Sequence, residues 1–147
     1  MISPDSADTR CPAPVSGCRL LLVEDDLNNR KALQTTIRMF LPDYRVDTAA
    51  NGLEALQRLE AQDYDLVLMD CMMPVMDGYD ATAVIRDRTS GVRNHDIPVI
   101  ALTANNMRGD REKCLAAGMD DFLAKPLDIF ELLSVMETCL KGSSDRR

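Results

Sequence analysis

No two of the five cysteines, Cys11, Cys18, Cys71, Cys114 and Cys139, form a C-x-x-C pair. Odd in number and widely spaced, they supply neither a disulfide framework nor a zinc site, and reduced thiols in a cytoplasmic setting fit them best. Nor does any apolar run approach the roughly 20 residues of a membrane span. The first residues are polar and lack the basic-then-apolar order of an export signal. Positive charge is in deficit: 17 Lys and Arg against 24 Asp and Glu give a net charge of −7. Nucleic acid and anionic lipid would both be repelled by such a chain, so neither is expected as a partner. Histidine occurs once, at His95, inside the polar stretch SGVRNHD. It reads as a surface loop residue, which disfavours a catalytic or metal-ligating histidine and a phosphohistidine carrier.

What remains is an ordinary hydrophobic content of 46% over 147 residues, enough for one domain with a single core. Residues 1–18 are rich in Ser, Pro, Asp and small side chains and read as a flexible tail or linker. Residues 19–141 carry the folded domain, and 142–147 read as a C-terminal tail. Within the domain, short apolar runs alternate with segments of helical period. Leu20–Val23 is a buried strand ending in Glu24, Asp25 and Asp26. Leu33, Ile37, Phe40 and Leu41 then recur at helical spacing, so Leu27–Phe40 is expected to be an amphipathic helix stopped by Pro42. The unit repeats: a weaker strand over Tyr44–Ala49 with a helix over Gly52–Ala61, and a strong strand over Leu66–Met69 with a helix near Tyr79–Arg86. A strand over Pro98–Leu102 precedes a helix near Arg108–Ala117, and a last strand, Asp121–Ala124, precedes a helix marked by Ile129, Leu132, Leu133, Met136 and Leu140.

Five strands alternating with five helices imply a mostly parallel sheet covered on both faces. The expected architecture is a doubly wound α/β fold of flavodoxin-like order 2-1-3-4-5, with its ligand site outside the carboxyl ends of strands one and three. The polar residues at those strand ends are Glu24 and Asp25, Asp70, Thr103 and Lys125. Three clustered carboxylates repel by about 4 kcal/mol per close pair at an effective dielectric of 20 unless they share a cation. Oxygen ligands suit magnesium, and magnesium beside a carboxylate, an ammonium and a hydroxyl is the equipment of phosphoryl transfer. Asp70 is then the nucleophile, forming an acyl phosphate. Taken singly each residue has a plainer reading. Asp26 serves equally well as a helix N-cap, Lys125 as a solvated surface cation and Thr103 as a loop residue; their joint placement carries the functional reading. Cys71 points to the opposite face of the strand from Asp70 and is expected to be a small packed thiol.

The stretches LLVEDD, LVLMDCMMPVMDG, PVIALTAN and AGMDDFLAKPL resemble the receiver domain of two-component response regulators, across about Arg19 to Lys141. ALTANNMRGDREKCLAAGMDDFLAKP is similar to receivers attached to hybrid sensor histidine kinases. The resemblance implies Glu24 and Asp25 as the acidic pair, Asp70 as phosphoacceptor and Met72 as a magnesium ligand through its backbone carbonyl. It further implies Thr103 as switch hydroxyl, Lys125 as the phosphate-pairing cation, Phe122 as a switch aromatic without a hydroxyl, and a cis Lys125–Pro126 peptide. A histidine kinase or a histidine phosphotransfer domain would be the partner. A phosphohydrolase of haloacid dehalogenase type would need a second aspartate where Met72 stands. A flavin-binding electron carrier would find its phosphate repelled by Glu24, Asp25 and Asp26. Two residues after Asp70 and after Thr103 stand Met72 and Asn105, neither an acid nor a base. Without general-base help to an attacking water, the aspartyl phosphate is expected to hydrolyse slowly.

Overall fold

A computed structural model describes residues 18–71, 76–103, 108–124 and 127–145. Its elements are β1 (Arg19–Val23), α1 (Leu27–Phe40), β2 (Arg45–Ala49), α2 (Gly52–Ala61) and β3 (Leu66–Asp70), followed by α3 (Gly78–Arg86), β4 (Val99–Thr103), α4 (Arg108–Ala117), β5 (Asp121–Ala124) and α5 (Ile129–Asp145). All strand pairs are parallel, in the order β2-β1-β3-β4-β5. The flavodoxin-like order read from the alternating pattern is the one observed. Met72, Lys125, Pro126 and Asn105, and with them the expected cis peptide, lie outside the described residues.

Period-two alternation divides the continuous apolar strands between two cores. Leu21, Val23, Val67, Met69, Val99 and Ala101 face one side of the sheet, against α2, α3 and the Cys114 side of α4. Leu20, Leu22, Leu66, Leu68, Ile100 and Leu102 face the other, against Ile37 of α1 and Leu132 and Met136 of α5. Central strands buried on both faces have no room for polar alternation, which is why β1, β3 and β4 read as unbroken apolar runs. The edge strand β2 (RVDTA) reads as weakly apolar because only Val46 and Ala49 are buried in it, one toward each core.

Helix starts follow local chemistry. Asp26 caps α1, its Oδ1 accepting from the backbone N–H groups of Asn28 and Asn29 at 2.9 and 3.1 Å. Asn51 caps α2 by accepting from Glu54 N–H at 2.8 Å, while the Glu54 carboxylate reaches back to Ala50 N–H at 2.6 Å. Asp77 caps α3 through Asp80 N–H at 2.9 Å. At the far end, α5 continues to Asp145, so the expected tail from residue 142 begins inside the helix. No proline interrupts that stretch, and Gly142 costs a helix only about 1 kcal/mol relative to alanine.

At the amino edge of the sheet Arg86 ties three segments together. Its Nε donates to Gly118 O at 2.9 Å and its Nη1 to the carbonyls of His95 and Ile97 at 2.8 Å. Its Nη2 pairs with Asp120 Oδ2 at 3.0 Å, and the same carboxylate oxygen accepts from Val99 N–H at 2.9 Å. His95 is correspondingly not a freely solvated loop residue: it is half-buried, with Nδ1 2.9 Å from Ile85 O. Gly118 ends α4 at φ 100°. Met119 N–H bonds Cys114 O and Gly118 N–H bonds Leu115 O, the paired bonds of a Schellman ending. A Cβ at Gly118 would also stand 2.9 Å from Arg86 Cγ. Arg86→Met, which keeps the stem and loses the charge-assisted bonds, is expected to lower stability by roughly 2–4 kcal/mol in urea unfolding. A loss below about 0.5 kcal/mol would show that the clamp contributes nothing beyond a surface ion pair.

Candidate functional site

Parallel register determines which side chains meet at the carboxyl edge. Val23 of β1 lies opposite Met69 of β3, so the residues that follow, Glu24 and Asp70, emerge side by side. Asp70 in turn pairs with Leu102 of β4, and Thr103 follows, opposite Ala124 of β5. Glu24, Asp70 and Thr103 are buried at 2%, 4% and 2% exposure, among the few buried polar residues in the described part of a molecule whose interior is otherwise apolar. Asp25 is exposed and closes the cluster from the solvent side. One carboxylate oxygen from each of Glu24, Asp25 and Asp70 lies within 4.8 Å of the others.

Three like charges at that separation repel. For the buried Glu24–Asp70 pair the cost is about 3–4 kcal/mol at an effective dielectric of 20, and for the solvated Asp25 about 1 kcal/mol in water-like surroundings. A hard divalent cation fits this donor set. Oxygen ligands around a magnesium-sized ion, at bonds of about 2.1 Å, lie roughly 3–4.2 Å apart, so the three carboxylates would draw closer together on seating one. All-oxygen donors with no sulfur or imidazole among the described residues of the cluster favour that class of ion over zinc or copper.

The turn that carries the acidic pair is tied down. Glu24 N–H bonds Ala49 O of β2 at 3.1 Å, and its side chain accepts from Asp26 N–H at 3.2 Å. Asp26, whose role was open between cap and ligand, is a cap and stands outside the carboxylate cluster. On the other flank, α3 starts hard against the Asp70–Cys71 peptide: Gly78 N–H bonds Cys71 O at 3.1 Å, and a Cβ at Gly78 would lie 2.5 Å from Asp70 O. Only glycine permits that approach. Gly78 is therefore a residue of the site that a search for chemical side chains overlooks, though the Asp77-Gly78 dipeptide marks the helix start.

Thr103 Oγ1 donates to Leu123 O at 3.5 Å, a long bond. Phe122, one residue earlier on β5, is half-buried and, like Tyr79, packs against the core under α2–α4. The switch pair of the sequence reading thus occupies neighbouring strands. Cys71 lies on the face opposite Asp70, buried, with Sγ 4.0 Å from Cys114 Sγ. Burial pushes its thiol up to about 12, with Cys114 adding to the shift, so it remains protonated and unreactive at neutral pH. Met72 and Lys125, expected to complete the site, lie outside the described residues. Among the described residues no helix is long and apolar enough to cross a membrane.

A doubly wound α/β domain with a carboxylate cluster at its topological switch point is defined by fold and site together. The family model of the response regulator receiver domain matches residues 20–137, and the chain belongs to that family. It is 38% identical over 126 residues to hybrid signal transduction histidine kinase B of Dictyostelium discoideum, covering 80% of this chain but 6% of that protein. Two-component system protein A of Emericella nidulans is 40% identical over 119 residues, with 80% of this chain and 17% of the relative covered. The chain thus spans less than a fifth of either relative's length. Among solved structures, the receiver domain of a sensor histidine kinase from Pseudomonas aeruginosa PAO1, with a magnesium ion coordinated in its active-site cleft, superposes with a TM-score of 0.75 at 44% identity. The match covers 86% of this chain and 99% of that one. The receiver domain of Ssk1 from Saccharomyces cerevisiae, crystallised with the histidine phosphotransfer protein Ypd1, matches with a TM-score of 0.71 at 28% identity over 82% of this chain and 86% of that one.

Relief of the carboxylate repulsion can be measured without any ligand. Asp25→Asn is expected to raise the stability of the metal-free protein by about 1 kcal/mol in chelator-containing buffer. An unchanged or lowered unfolding midpoint would contradict the reading of the cluster as strained by like charge.

Proposed function

We propose that this chain is the phosphoacceptor switch of a two-component phosphorelay, taking a phosphoryl group onto Asp70 from a phosphohistidine of a histidine kinase or histidine phosphotransfer domain. The observation that carries this reading is the meeting of Glu24, Asp25 and Asp70 within 4.8 Å at the carboxyl edge, with buried Thr103 on the next strand. The magnesium-bearing cleft of the Pseudomonas receiver and the phosphotransfer complex of the yeast receiver support the same chemistry and the same class of partner. A cytoplasmic setting follows from reduced thiols and from the kinase partner.

In the transfer, an Asp70 carboxylate oxygen attacks phosphorus as the P–N bond to the donor imidazole breaks. The imidazole leaves with the bonding electron pair, and an acyl phosphate remains on Asp70. Magnesium, when bound, neutralises charge on the phosphoryl oxygens. Glu24, Asp25 and Asp70 would hold it, with the Met72 backbone carbonyl as the further ligand that the resemblance to receiver domains implies. Lys125 would pair with the phosphoryl group. The Thr103 hydroxyl would leave Leu123 O for a phosphoryl oxygen, freeing room beside Phe122 and biasing β4, β5 and the adjoining helices toward a second arrangement. The chain works as a switch and turns over no external substrate. The receiver-domain match leaves the phosphohydrolase and flavin-carrier readings without support.

Incubation with acetyl phosphate and magnesium, followed by intact-mass measurement, is expected to show a single one-phosphate adduct in the wild type and none in Asp70→Asn. The adduct is expected to outlast a Met72→Glu variant's, which gains a general base typically worth 10²–10⁴-fold in rate. Phosphate retained in Asp70→Asn, or no adduct in the wild type, would refute the assignment.

A further inference from the structure

The turn from β1 into α1 has to aim Glu24 and Asp25 at Asp70 although the three carboxylates repel one another. Its main chain is gripped from two sides. The N–H of Glu24 is held by Ala49 O of β2 at 3.1 Å, and the carbonyl of the same residue accepts from Arg30 Nη1 at 2.9 Å. Arg30 lies in the first turn of α1, is half-buried, and its own N–H bonds Asp26 O at 2.9 Å. Glu24, Asp26 and Arg30 therefore close a ring: Asp26 N–H on the Glu24 carboxylate at 3.2 Å, the Arg30 backbone on Asp26, the Arg30 guanidinium on Glu24 O. The guanidinium bond is charge-assisted, roughly twice as strong as a neutral one. With both polar groups of residue 24 fixed, the backbone angles that direct the Glu24 and Asp25 side chains are fixed as well.

We propose that Arg30 is a positioning residue of the cation site, acting through the Glu24 carbonyl to hold the acidic pair in the geometry that a divalent ion needs; this rests on the reading of the cluster as a magnesium site. Two effects of Arg30 on a bound cation oppose each other. Its positive charge weakens the attraction of the cluster for a cation, while its bond to Glu24 organises the ligands. The guanidinium is partly solvated and its field is screened over about 8 Å at physiological salt, whereas removing a partner that orients metal ligands typically costs 10–100-fold in affinity. Positioning therefore outweighs charge, and the two predict opposite signs for the same variant.

The test is calorimetric titration of magnesium chloride into the metal-free full chain as wild type, Arg30→Met and Arg30→Lys, with a thermal melt of each in chelator. Arg30→Met keeps the hydrophobic stem and is expected to bind magnesium roughly tenfold more weakly. Arg30→Lys, retaining a cationic donor, is expected to recover part of that loss, and the metal-free melts are expected to show all three proteins folded at the titration temperature. Equal or tighter binding by Arg30→Met, or no recovery in Arg30→Lys, would overturn the positioning role while leaving the phosphoacceptor reading intact. Absence of magnesium binding in the wild type would remove that reading and this inference with it.

Discussion

Mutual repulsion among Glu24, Asp25 and Asp70 is the constraint around which this molecule is organised. A folded chain that brings three carboxylate oxygens within 4.8 Å of one another, two of the groups nearly inaccessible to water, gives up stability at that point and must recover it elsewhere. The recovery comes from two apolar layers, one on each face of a five-stranded parallel sheet, whose central strands are buried throughout. Strain of this kind at a functional site creates an appetite for positive charge. A cation relieves it, and a phosphoryl group that brings its own negative charge is then accommodated only with the cation present. Local destabilisation and chemical competence are two descriptions of the same arrangement.

The rest of the fold keeps that edge rigid. Register between β1 and β3 delivers Glu24 and Asp70 as neighbours, and the close approach of Gly78 to Asp70 O presses α3 against the far side. Arg86 joins α3 to the segments before β4 and β5 at the opposite edge, so that β4 and β5, which carry Thr103 and Phe122, start from anchored positions. At the carboxyl ends the Thr103 hydroxyl donates to Leu123 O over a long 3.5 Å.

Much of this was legible in the sequence because parallel α/β folds write their topology plainly. Apolar runs such as LLLV and LVLM can be buried only between two layers, and acids or hydroxyls at their ends must converge on one edge. Helix boundaries over Leu27–Phe40 and Gly52–Ala61 were readable from period and caps. Features that depend on main-chain contacts were not. Arg30, Gly78 and Arg86 act on carbonyls or through the absence of a Cβ, and a carbonyl has no letter of its own in a sequence. His95 belongs with them: its polar neighbourhood suggests solvent, whereas its ring and its carbonyl are both used by α3. The prolongation of α5 to Asp145 escaped because Gly142 and two serines resemble a terminus although nothing there prevents another helical turn.

The most direct measurement of the central claim is anomalous diffraction from crystals of the full chain soaked in manganese, a magnesium substitute that scatters strongly. The carboxylate cluster as derived predicts one dominant peak enclosed by Glu24, Asp25 and Asp70, lost in crystals of Asp25→Asn or Asp70→Asn. A dominant peak at another acidic surface of this chain, or none at the cluster, would contradict it.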